Sequence, residues 1–254
     1  MKVARTAAVV FAAAGIGVCQ LAFAAQNSHA DAEPAGAAAN ASAASSSATI
    51  TFDFARAAVG VPVPKYKLVI HEDGTGSYEG EALPPPTRYG PAAAPSAVPF
   101  KREVRLTPAT TARIFDLAGQ LEHFKVACAS KAKNIADSGT KTLTYAGPDG
   151  GGACTYNYTD IKELTELTQI IQGITETLDE GRELDRLHRY DRLGLDSAIG
   201  YLQDEAAQGR ALEVQLIGDS LSAIAGDADV LARVRAKATA MLKQIATAQP
   251  VRMP

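Results

Sequence analysis

Gly218-Asp219-Ser220-Leu221-Ser222 is the stretch of this chain closest in spelling to a catalytic motif. A serine that attacks a carbonyl stands at an exposed turn. It needs an imidazole to take its proton and N–H donors for the oxyanion. Two other groupings bring ionisable side chains together. In His71-Glu72-Asp73, an imidazole and a carboxylate share one face of an alternating segment, which is the beginning of a metal site. Asp185, His188 and Asp191 recur at i, i+3 and i+6, close enough to share a helix face.

None of the three assembles a complete chemistry. In GDSL lipases and esterases the serine motif lies near the N-terminus, after the first strand, and the catalytic acid and base follow in a late D-x-x-H block. Here the last histidine, His188 of Asp185-x-x-His188, precedes the serine, and the motif sits close to the C-terminus. Leu212, Leu216, Ile217, Leu221 and Ile224 form a helical stripe, and no strand precedes Ser220. Ser220 is therefore expected to be a small polar residue on a helix, and no catalytic residue is assigned. His71 and Asp73 lack a third ligand, so no metal is assigned either. Arg182, Arg186, Arg189 and Arg192 interleave with the Asp185–Asp191 set, the pattern of a solvated face of compensating charges. His123 ends a helical stripe, and His29 falls in a linker. No cofactor-binding residue is found.

The ends of the chain bound where such chemistry would take place. Lys2 and Arg5 precede the uncharged run TAAVVFAAAGIGVCQLAFA, which closes in Ala22-Phe23-Ala24. A charged start, a short apolar middle and an A-x-A end describe a secretory signal peptide over 1–24. A membrane anchor is the competing reading, weakened by Gly15, Gly17 and Gln20; Val18 before Cys19 argues against a lipid anchor. Cleavage would remove Lys2 and Arg5 and move the net charge from −3 to −5, a weakly acidic chain with no footprint for nucleic acid. No later segment is apolar enough to span a membrane. Cys128 and Cys154 would remain, and two cysteines in an exported chain are expected to pair.

Residues 25–48 hold no Leu, Ile, Val or aromatic side chain and are expected to be a disordered Ala/Ser tether. The remainder predicts an α+β fold, with antiparallel β-hairpins packed with helices over 49–180 and an α-helical region over 181–247. TITFDFA (49–55) alternates, and Asp73-Gly74 separates two more alternating runs as a hairpin turn. The glycines at 74, 76 and 80 miss the dinucleotide spacing, and no helix follows them. Residues 83–99 form a proline-rich excursion, 101–106 a strand, and Thr107-Pro108 the cap of a helix. Strands are expected at 140–145 and 153–158, with Cys154, Tyr156 and Tyr158 on one face. A helix follows from a capping box at Asp160 and Glu163 to about 193, then helices at 196–208, 211–225 and 228–247. Asp196 and Asp227 are the expected caps, and Leu231, Val234, Ala238, Met241 and Ile245 the last buried stripe.

Tyr66, Asp73, Gly74, Tyr78 and Gly80, with KREVRLT and a helix after them, resemble an uncharacterised bacterial family of exported domains. The resemblance covers about 49–178; many family members carry a cysteine-containing segment just before the first tyrosine, where this chain reads VGVPVPKY. It implies export to the periplasm or beyond and supplies no catalytic residues. The expected function is a non-catalytic binding or interaction module of the cell envelope, with an envelope protein or cell-wall component as partner. The alternatives are a secreted esterase-like hydrolase using Ser220, or an inhibitor-like module presenting the hairpin tips or 83–99 to an envelope enzyme.

Overall fold

The computed structural model describes residues 47–56, 61–84 and 96–248. The signal segment, the tether up to residue 46 with His29, and positions 85–95 of the proline-rich excursion lie outside them. The fold is α+β. Six antiparallel strands, β1 (Thr49–Ala55), β2 (Lys65–His71), β3 (Thr75–Ala82), β4 (Val98–Arg105), β5 (Thr140–Gly147) and β6 (Gly150–Tyr156), lie in the order β4-β3-β2-β1-β5-β6. Period-two alternation sends Ile50, Phe52, Phe54, Leu68, Ile70, Tyr78 and Leu143 into the core. The opposite face carries Lys101, Glu79, Lys67 and Asp53 in register on four neighbouring strands, with ion pairs of 3.8 Å (Lys101–Glu79) and 3.6 Å (Lys67–Asp53).

The β2–β3 turn has three residues, with only Gly74 at positive φ (+81°) and Asp73 accepting the Thr75 amide at 2.9 Å. A non-glycine side chain at Gly74 would also press on Thr111 and the Leu106 carbonyl, so the turn is held from outside the hairpin.

α1 (Pro108–Gln120) begins at Thr107, whose hydroxyl accepts from the Thr110 amide. α2 (Lys162–Tyr190) has 29 residues, about 43 Å at the usual rise. Its first half lays Leu164, Leu167, Ile171 and Ile174 on the sheet core. Its second half gives Leu184 and Leu187 to another cluster with α3 (Leu195–Ala207), α4 (Gly218–Gly226) and α5 (Ala232–Ala248). Cys128 and Cys154 lie at bonding distance, their sulfurs 1.97 Å apart, tying the 121–139 connection to edge strand β6.

Several boundaries depart from the sequence expectation, most of them where another partner claims the capping group. α2 has Ile161 at its N-cap with no side-chain cap, because the Asp160 carboxylate takes the Ser130 hydroxyl. Asp196 lies inside α3, drawn to Arg233 (3.0 Å) and Lys237 (2.9 Å) of α5. Asp227 does not cap α5, which starts at residue 232; it accepts the Asp229 amide at 2.9 Å. The expected helix 211–225 is interrupted. Glu213 adopts φ +58°, which lets its carboxylate take the Thr107 amide at 2.7 Å, and a 3₁₀ turn (Val214–Ile217) precedes α4. Tyr158 lies past the end of β6 and is exposed, and Leu231 is exposed where the last buried stripe was expected.

Candidate binding groove

The catalytic spellings are dispersed by this fold. Ser220 is the third residue of α4, buried, and preceded by the 3₁₀ turn rather than a strand. His188 pairs with Asp227 at 2.8 Å, and Arg192 joins Asp227 at 3.2 Å. Seven residues of helical rise separate Ser220 from Asp227, about 10 Å. Among the described residues no histidine hydrogen-bonds Ser220. Asp185 and Asp191 are not His188's partners; Arg186 instead pairs with Glu183 at 2.6 Å within the helix. His71 meets the Thr49 hydroxyl at 3.0 Å, while Asp73 is engaged with Thr75. Among the described residues no group of three or more His, Cys, Asp or Glu is placed to hold a metal ion. His123 sits in a left-handed turn, with Glu122, His123 and Phe124 at φ 51°, 55° and 65°. Its ring stacks on Tyr145 at 4.1 Å, and Asp149 anchors both.

What the fold does assemble is a groove of about 700 Å³ between α2, the end of α3 and the β1–β2 corner. Gln169, Gln172, Glu176 and Asp179 recur every three or four residues along α2 and, with Gly173, form one wall, because the apolar stripe of the same helix faces the sheet. Tyr201 and Glu205 of α3, with Gln208 and Arg210 beyond it, form the second wall; Phe54, Tyr66 and Val61–Val63 close the third side.

The groove's polar groups are held in place by one another. Tyr201 donates its hydroxyl to Glu176 at 3.0 Å; lost hydration, then Glu176, push the phenol up to about 12. Gly209 at φ +70° ends α3 and turns the chain back, so that Arg210 grips both oxygens of Glu205 at 2.6 Å. That hydrogen bonding holds the Glu205 carboxyl below its usual range. Deeper in, Tyr78 donates to Asp179 at 2.9 Å and Arg182 reaches the same oxygen at 3.0 Å. Burial nevertheless raises the Asp179 carboxyl, against the opposing pull of Arg182 and Tyr78. Arg182 lies over the Phe100 ring at 4.6 Å, with its buried Nε unpartnered among the described residues. Burial also raises the Tyr66 phenol above its ordinary range.

Of these residues, the sequence singles out Tyr66, Tyr78 and Arg182, none of them as a groove residue. Glu176, Tyr201, Glu205 and Arg210 carried no motif. The available signal was Tyr201 and Glu205 at i, i+4 with a glycine stop and an arginine close behind. No protein-family model matches the chain, and no curated protein matches it.

Proposed function

We propose that this protein is an exported, non-catalytic binding module whose ligand belongs to the cell envelope, either an envelope protein or a cell-wall component. The observation that carries the reading is the groove. Its aromatic, amide and carboxylate side chains are cross-braced by Tyr201–Glu176 and Arg210–Glu205 bonds, so little side-chain ordering is left to occur on binding. Export is supported by the cysteine pair and the signal-like start; among the described residues no helix is long and apolar enough to cross a membrane. The kinship with the uncharacterised exported family belongs to the same proposal.

The test compares the purified protein with Tyr201→Ala and Ser220→Ala in affinity capture of solubilised envelope and in hydrolysis of short acyl esters. Capture that falls about tenfold in Tyr201→Ala and is unchanged in Ser220→Ala supports binding through the groove. Capture indifferent to Tyr201, or ester turnover abolished by Ser220→Ala, overturns it in favour of another surface or a hydrolase.

A further inference from the structure

We propose that the groove recognises an organic cation, the ammonium or guanidinium group of a lysyl or arginyl peptide; this rests on the groove being the binding site. Charge on the groove is unbalanced. Glu176, Asp179, Glu180 and Glu205 gather on the facing sides of α2 and α3, with Arg182 and Arg210 as their nearby counter-charges. Both arginines are committed, Arg182 to Asp179 and the Phe100 ring and Arg210 to both Glu205 oxygens. Among the described residues Glu176 is ion-paired with neither guanidinium, and Glu180 contributes only part of a charge near neutral pH. The crowding registers on Glu180 itself, whose carboxyl rises to about 7, from burial first and then Glu176, Glu183, Asp179 and Glu205.

Two further features turn that imbalance into a binding geometry. Tyr201 is 47% exposed beside Glu176, so an aromatic ring and a carboxylate are offered together, the pairing that attracts a desolvated cation. Tyr66, nine-tenths buried at the groove, has one long contact, 3.4 Å to a Thr175 hydroxyl that also donates to the Gln172 carbonyl at 3.1 Å. A buried phenol with a single long contact can also donate to an acceptor on the ligand. A peptide carbonyl next to a cationic side chain supplies one, and Gln169, Gln172 and Gln208 along the same groove are suited to the rest of the backbone.

The test is an amide-resolved NMR titration of the purified protein at low salt. The probes are acetyl-Gly-Lys-Gly-amide, its Gln counterpart and putrescine, run on the parent, Glu176→Gln and Tyr201→Leu, with thermal melts to verify folding. The expected result is a response to the lysyl peptide at groove residues, weakened about 2- to 5-fold in Tyr201→Leu and further in Glu176→Gln. The glutaminyl peptide should bind at least tenfold more weakly. Equal binding of both peptides overturns the cation assignment and leaves the groove reading standing. A response to putrescine alone supports the charge class and overturns the peptide as its source. No groove response to any probe overturns the cation assignment; the envelope-capture comparison then decides the groove reading on its own. Should a variant fail to fold, parent binding of the lysyl peptide that survives 300 mM NaCl undiminished overturns the proposal equally.

Discussion

Replacing Glu180 by glutamine isolates the electrostatic stress on α2. Glu180 has Glu176, Asp179 and Glu183 around it on its own helix and Glu205 on α3. Burial first, then these carboxylates, move its carboxyl from 4.5 to about 7. The unfolded chain releases this proton as pH climbs past 4.5, whereas the folded chain keeps it to about 7. The stabilisation is therefore complete below 4.5 and is lost as pH rises through about 7. At 1.36 kcal/mol per pH unit the span is worth about 3 kcal/mol. The side chain is partly exposed, so solvent screening reduces this to about 1–2 kcal/mol.

Urea denaturation of parent and Glu180→Gln from pH 4.5 to 8.5 reads the effect. At pH 8.5 the variant should be the more stable by about 1–2 kcal/mol, a midpoint shift of roughly 0.5 M at ordinary m-values. At pH 4.5 the difference should shrink towards zero. Asp196, Glu205 and Asp227, whose carboxyls are held low first by hydrogen bonds from Lys237, Arg210 and His188, slope the opposite way. They are common to both proteins and cancel in the difference. A difference independent of pH, or largest in acid, would refute the reasoning.

Removing the disulfide by joint Cys128→Ser and Cys154→Ser frees a loop with a sequence separation of 26. Chain entropy puts the loss at about 3.5 kcal/mol, and calorimetry should show the melting temperature falling by about 7–14 °C. Gly181→Ala inserts a methyl 2.2 Å from Ile217 Cγ2 and 3.0 Å from Ile217 Cβ. Overpacking of that kind costs about 1–3 kcal/mol in a chemical melt, although alanine is the better helix former. Stabilisation instead would show that the 214–217 turn yields freely.

The sheet was legible in the sequence because each strand meets one large environment, core or water, and alternation records it. Ile50, Phe52 and Phe54 against Thr51 and Asp53 need no knowledge of the partner strand. Helix ends were less legible because a cap is a choice among partners. Asp160, Asp196 and Asp227 all have the right chemistry for an N-cap, yet Ser130, Arg233 with Lys237, and His188 with the Asp229 amide engage them instead. Those partners lie 30, 37, 41 and 39 residues away for Ser130, Arg233, Lys237 and His188, and no local window contains them. Ser220 shows the converse. Its motif is local and legible, but the histidine that would give it meaning is bound at the far end of the same helix.

The groove was illegible for a related reason, and its origin lies in the small residues of α2. Gly173, Thr177 and Gly181 recur every four positions, so one strip of that helix has almost no side-chain bulk. The chain after α3 lies against it. The Leu212 amide donates to the Gly173 carbonyl at 3.0 Å, Thr177 donates to the Leu212 carbonyl at 2.6 Å, and Ile217 fills the space at Gly181. That contact, with the Gly209 turn, sets the path of the chain beyond α3 and places Arg210 on Glu205. Glu176 instead accepts the Tyr201 hydroxyl. The placing of the groove's charged side chains thus depends on backbone contact made by residues that carry no charge, a connection that appears only once the helices are in place.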